Sequence, residues 1–245
     1  MKNSQHWRPS KYQMTRRGLR ASRDLEQVGA ASRLVTDLLA PQYEQLLQAH
    51  ARGRLLDLGC GGAPLYEVYQ GLTSEVVCVD RSSSLHGLDY VDVEADLNGP
   101  LPFGEHEFDT VLSTDVLEHL EEPDNLFREA ARVLKPDGKL LLATPFLYWI
   151  HEAPHDFGRY TSFMLERFCQ KHGLEVLELR ATGGSPEVLL DMVGRHLAWS
   201  DALTLGHARL ASLALKLPGA RWLSSHSQRW FPLGFILVAR RQLSP

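Results

Sequence analysis

The stretch Leu55-Leu56-Asp57-Leu58-Gly59-Cys60-Gly61-Gly62-Ala63-Pro64 decides the architecture. An apolar run from Arg54 to Leu58 stops in a glycine cluster and is followed by helical spacing from Pro64 to Gln70, so the segment reads as strand, tight turn and helix. Glycines at such a turn let the backbone approach a ligand with no Cβ in the way, and the amino end of the helix offers free N–H groups.

The same unit repeats outward. Glu75–Asp80, Tyr90–Ala95 and Phe108–Ser113 read as further strands. A helix opened by Pro123, with Leu126, Phe127, Ala130, Ala131, Val133 and Leu134 on one face, stops at Pro136-Asp137-Gly138 and leads into a strand over Lys139–Thr144. Thr161 opens a helix to His172, Leu174–Leu179 alternates at period two, and Leu233–Arg240 is a last strand. Strands alternating with helices in this way imply an α/β protein with a mostly parallel sheet. Upstream, Asp24 to Gln27 has helix-start chemistry, and apolar positions from Val28 to Leu39 predict a helix ending at Pro41, with a further turn or two to His50.

Four segments follow: a basic arm with N-terminal helices over 1–50, a ligand-binding core over 51–182, a helical insertion over 183–232, and a last strand and tail over 233–245. The insertion carries Trp199, Trp222 and Trp230, three of five tryptophans, and is expected to be a lid, an oligomer interface, a membrane-touching patch or a helical pair packed on the sheet. Residues 1–23 hold seven basic side chains and no acid, whereas the other 222 residues hold 19 basic and 30 acidic ones. Such an arm suits a phosphate, a nucleic-acid backbone or an anionic membrane surface, or folds back on its own acidic body. With 44% apolar and 23% charged residues, the 245-residue chain is of the ordinary globular class, and its apolar runs are too short to span a bilayer. No secretory signal is visible at the amino end, and Cys60, Cys78 and Cys169 lack CxxC spacing, so a cytoplasmic protein with reduced thiols is expected.

The acids sit where a nucleoside would be held. Asp57 before the first glycine can bind an ammonium group, Asp80 at the second strand tip can accept from ribose hydroxyls, and Asp96 can accept from an adenine amino group. Each acid also has a plainer reading, as a cap or a turn opener. Three carboxylates without a phosphate-binding lysine suit a cationic, phosphate-free adenosine ligand, and S-adenosylmethionine fits that description.

At these residues the sequence resembles the class I S-adenosylmethionine-dependent methyltransferases, especially the small-molecule, type 11-like branch. Leu55–Gly61 resembles that family's first motif, Val79-Asp80 its ribose motif, and Asp96-Leu97 with Leu101-Pro102-Phe103 its adenine motif. Phe108–Leu120 and Arg132–Gly138 resemble the stretches around its fourth and fifth strands. The resemblance covers about residues 52–182 and departs at Ala63-Pro64, near the family's third glycine. It implies a Rossmann-like, doubly wound seven-stranded sheet of order 3-2-1-4-5-7-6 with an antiparallel last strand. It also implies S-adenosylmethionine as cofactor, held by Asp57, Gly59, Gly61, Asp80, Arg81, Asp96, Leu97 and Ser113.

The segment from Thr144 to Thr161 lies at the carboxyl end of the sheet, where such folds bind substrates. His155, with His151 as substitute, is the expected general base for a hydroxyl acceptor, with Asp156 or Glu152 as orienter. Arg159 and Tyr160 are expected to contact substrate, although Arg159 can equally pair with an acid; Thr161 is expected as a helix cap. Asp115, Glu118 and His119 resemble an acid-x-x-Glu-His pattern that ubiquinone-pathway O-methyltransferases and small-RNA 2′-O-methyltransferases use for a divalent metal. The same Leu-Glu-His run is widespread in relatives that use none, so no metal is expected. The leading reading is methyl transfer to a small-molecule hydroxyl, with a sugar or glycan precursor as the narrower expectation and RNA methylation or a non-catalytic cofactor-binding module as alternatives. An acidic body without an RNA-binding module argues against nucleic acid.

Overall fold

The first departure from the sequence reading lies in the basic arm. In a computed structural model describing Met1–Gln242, β1 (Tyr12–Thr15) and β2 (Gly18–Ala21) form an antiparallel hairpin with Tyr12 opposite Ala21 and Thr15 opposite Gly18. Gly18 takes a φ of 101°, which only glycine adopts readily, and the Thr15 hydroxyl donates to its carbonyl. The predicted helix starts later: Asp24 caps only a turn, and α1 runs from Arg33 to His50, through Pro41 instead of ending there. Ala40, Tyr43, Leu46 and Leu47 around the proline are buried, and that packing outweighs the lost backbone bond.

The remaining elements are β3 (Gly53–Leu58), α2 (Tyr66–Tyr69), β4 (Thr73–Asp80), β5 (Val93–Glu94), β6 (Phe108–Thr114), α3 (Pro123–Val133), β7 (Leu134–Pro145), α4 (Ser162–Lys171), β8 (Leu174–Thr182), α5 (Ser185–His196), α6 (Asp201–Ala214), α7 (Pro218–Ser227) and β9 (Gly234–Arg241). The last three residues of the predicted tail lie outside the described residues. The large sheet has seven strands in the order β5-β4-β3-β6-β7-β9-β8. Counted within that sheet, this is the expected 3-2-1-4-5-7-6, with its antiparallel end. β3 pairs in parallel with both β4 and β6, with Asp57 opposite Cys78 on one side and Leu112 on the other. Leu55, Leu56, Val79, Val111, Leu141 and Leu142 are buried, as in a parallel sheet covered on both faces.

The expected stop at Pro136-Asp137-Gly138 is an irregularity within β7, with Asp137 at a φ of 62°. Thr161 caps α4 as expected, its hydroxyl accepting from the Met164 amide, and Gly173 closes the helix.

The chain divides into two compact units. One comprises Met1–Arg8, Leu46–Arg180 and the strand from Phe235 onward; the other comprises Pro9–Gln45 and Ala181–Gly234. The first eight residues therefore belong to a different unit from the rest of the basic arm. The Met1 amine donates to the Val76 carbonyl, and the Trp7 indole donates to that of Ala63 while its ring tilts against Tyr66.

Candidate active site

The amides of Gly59 and Cys60 donate to the Val79 carbonyl, which ties the glycine turn after β3 to the end of β4. Gly59 takes a φ of 71°, and a Cβ built on it would stand 2.5 Å from Val116 Cγ2, so this position demands glycine on both counts. Asp80, the last residue of β4, accepts from the amides of Gly61 (2.8 Å) and Arg81 (2.7 Å) and from the Ser84 hydroxyl (3.1 Å). Its carboxylate is thereby held at the strand tip.

Beside it opens a cleft at the ends of β3 and β4. Gly59, Asp80, Arg81, Asp96 and Leu97 line it, five of the eight expected cofactor residues. Asp96 does open a turn, accepting from both the amide and the side chain of Asn98, and it lines the cleft as well. Gly61 instead serves Asp80 through its amide, and Ser113 is buried in β6 with no hydrogen-bond partner for its hydroxyl among the described residues.

Asp57 departs most from expectation. It is 5% exposed, does not line the cleft, and accepts from the Tyr69 hydroxyl at 2.7 Å. Burial pushes its carboxyl up to about 7, against the lowering effect of the Tyr69 hydrogen bond. The cleft remains acidic without it: Asp80, Asp96, Asp115 and Glu152 line it against the single guanidinium of Arg81. That set of acceptors suits a cationic, phosphate-free nucleoside and disfavours a pyrophosphate.

A second group of side chains meets the far wall. Glu118, in the short turn after β6, is fully buried, and its Oε1 has no hydrogen-bond partner among the described residues. His151 Nε2 lies 3.6 Å and His119 Nε2 3.7 Å from that oxygen, with the two rings 4.7 Å apart. Nδ1 of His119 faces the His155 carbonyl, and Nδ1 of His151 faces the Trp149 carbonyl at 3.3 Å. Assigned from these partners, each neutral ring carries its proton on Nδ1, so both Nε2 lone pairs converge on the carboxylate. Three acceptors around one point require a proton or a cation between them. Burial raises the Glu118 carboxyl. Burial also opposes protonation of His151, but the neighbouring carboxylates of Glu118 and Asp156 outweigh it, and the imidazole titrates above its ordinary value. The ligating atoms of Glu118, His119 and His151 lie within 4.8 Å of one another, the arrangement of a divalent-cation site, although no metal is expected from the sequence.

The loop after β7 is folded onto this group. The amides of Phe157 and Gly158 donate to the Glu118 carbonyl, and Arg159 grips Asp156 while donating to the carbonyls of Trp149 and Gly158. Arg159, expected at the substrate, thus serves the loop's own structure. Its hydrogen bonds hold the Asp156 carboxyl down at about 2. Because that depressed value belongs to the folded state, the associated stability is complete above the unfolded carboxyl's range and disappears as pH falls toward 2, a loss of about 2 kcal/mol. Urea unfolding at descending pH is expected to show this loss, and Asp156→Asn to flatten it.

Tyr160 is half-buried, with its ring 6.0 Å from that of Phe168. The ring of the expected base His155 is not among the converging ligand atoms, although its carbonyl faces His119, and it lines an adjoining cleft with Arg81, Asp96, His119, Glu121 and Phe157. The sequence reading missed Val116, Ser84 and His86 as wall residues; Ser82-Ser83-Ser84-Leu85-His86 carries no periodic or motif signal.

A family model described as a methyltransferase domain matches residues 56–142. The ubiquinone biosynthesis O-methyltransferase of Xanthomonas oryzae pv. oryzae (strain PXO99A) is 36% identical over 111 residues, 38% of this chain and 44% of that protein. The enzyme of the same name from Chelativorans sp. (strain BNC1) is 34% identical over 131 residues, covering 43% of this chain and 52% of its own. The chain thus spans about half the length of these relatives. Among solved structures, an S-adenosylmethionine-dependent methyltransferase from Mesorhizobium loti superposes with a TM-score of 0.56 at 18% identity, over 85% of this chain and 100% of that one. The [4+2]-cyclase SpnF superposes at 0.54 and 21% identity, over 85% and 83%. Such likenesses speak for the fold alone, which by itself does not choose a chemistry. Motif order, sheet topology and the family match agree: residues 56–142 of this chain match a methyltransferase domain, set in the Rossmann-like sheet order that the resemblance implies.

Proposed function

We propose that this protein transfers the methyl group of S-adenosylmethionine to a hydroxyl of a small-molecule acceptor. The observation that carries the reading is the convergence of two imidazole nitrogens on the buried Glu118 oxygen, beside a cleft whose acids suit a sulfonium nucleoside. When bound, the cofactor supplies an electrophilic methyl carbon. The chain's part is to align the acceptor, exclude water and remove the hydroxyl proton. Asp80 and Asp96 would hold the sugar and base. His151 would take the proton at Nε2, oriented by Asp156, whose Oδ2 lies 3.4 Å from Nδ1, and Glu118 would stabilise the imidazolium that results.

The orphaned Glu118 oxygen also favours a second reading, in which Glu118, His119 and His151 hold a divalent cation that lowers the acceptor's pKa. The relatives' names speak of O-methylation in ubiquinone biosynthesis, and the sequence alone suggests a sugar hydroxyl. A panel of hydroxyl acceptors of both kinds, assayed for S-adenosylhomocysteine release, is expected to yield an oxygen-methylated product; methylation only at nitrogen or carbon would overturn the reading. Chelator treatment with metal add-back separates the two proton-handling schemes. Under the histidine-base scheme activity survives chelation and rises with pH through an apparent pKa above about 6.5, in keeping with the raised value of His151.

A further inference from the structure

The unit formed by Pro9–Gln45 and Ala181–Gly234 has an inverted helix in it. The buried face of α6 presents Thr204, Ala208 and Ala211, with Leu215 just beyond, packed with Leu34, Leu38 and Leu190. Its solvent face carries the bulkier residues: Leu203, Leu210 and Leu213 are 48%, 69% and 61% exposed, and Leu217 continues the stripe. In α5, Leu189, Met192 and Val193 form a second exposed stripe at helical spacing. Trp199, Trp222 and Trp230 are each more than 60% exposed. Apolar surface arranged in stripes, unlike scattered apolar residues, marks a surface made to be covered.

Charge identifies the cover. This unit holds eleven Lys and Arg against seven Asp and Glu, a net charge of +4, although the whole chain is at −4. Around the stripes, Arg209, Lys216, Arg221 and Arg229 are exposed, while Asp201 is the one exposed acid among the described residues of 183–232. Glu187 and Asp191 are buried, and Asp191 pairs with Arg195. A second copy of the same face would bring like charges together, and nucleic acid would engage the arginines but leave the leucines wet. An anionic bilayer satisfies both sets, with leucines in the acyl boundary, tryptophans at the headgroups and basic side chains on phosphate.

We propose that the outer faces of α5, α6 and α7 dock this protein on anionic lipid membranes. The full chain is mixed with phosphatidylcholine vesicles with and without about 30 mol % phosphatidylglycerol, and binding is read by flotation. The expected result is at least about tenfold stronger binding to the anionic vesicles, weakened by salt, with tryptophan emission shifted to the blue and quenched by brominated acyl chains. Leu210→Glu combined with Leu213→Glu, both at exposed positions, is expected to cut binding at least about fivefold while far-UV circular dichroism stays unchanged. The proposal is overturned by a lack of flotation, by salt-sensitive binding without acyl-chain quenching, or by light scattering that shows a dimer with the same residues protected.

Discussion

Replacing His151 with alanine is expected to lower methyl turnover by about 10²-fold or more, with S-adenosylmethionine affinity nearly unchanged. The imidazole stands between two acids, with Glu118 Oε1 3.6 Å from Nε2 and Asp156 Oδ2 3.4 Å from Nδ1. It does not itself line the cleft shared by Asp80 and Asp96, so its loss falls on proton handling and spares cofactor binding. The second reading predicts the same loss through a cation ligand, and chelation separates the two. His155→Ala is the contrast: its side chain lies outside the buried group, so a loss below about tenfold is expected, the range of a positioning contact and not of a general base. Steady-state kinetics on the two variants, with cofactor affinity measured in parallel, checks the pair. Equal losses would return His155 to the central role.

The second large effect belongs to Gly59→Ala. A left-handed φ of 71° costs an L-residue about 1–2 kcal/mol, and a Cβ at 2.5 Å and 2.9 Å from the two Val116 methyls forces a stiff β-branched side chain to move, which adds about 1–3 kcal/mol. The expected outcome is a Tm lower by at least about 5 °C and cofactor affinity reduced more than about tenfold, since Gly59 both ties β3 to β4 and lines the cleft. Gly71→Ala, where a Cβ meets nothing within 4 Å, serves as the control and is expected within about 0.5 kcal/mol of the parent.

The sheet was readable because its strands end in turn chemistry that sequence displays openly: glycines after Leu58, an acid at Asp80, and Asp96 before Asn98-Gly99. What each side chain faces was less readable. In a strand buried on both sides, no alternation tells which wall Asp57 addresses, and its partner Tyr69 is one of several aromatics nearby. Glu118 and His151 stand 33 positions apart and meet only because the loop after β7 folds back, its amides at Phe157 and Gly158 anchored on the Glu118 carbonyl. The hairpin β1–β2 was hidden by its charges: Arg16 and Arg17 at the tip read as a tail, whereas Tyr12 opposite Ala21 and the glycine at position 18 mark a paired turn.

Everything turns on whether the cleft at the ends of β3 and β4 takes a sulfonium nucleoside or its thioether product through Asp80. Calorimetric titration with S-adenosylhomocysteine tests this most directly. One binding site per chain, weakened at least about tenfold by Asp80→Ala, is the predicted result. An absence of binding to the parent chain, or an affinity that Asp80→Ala leaves untouched, would contradict it.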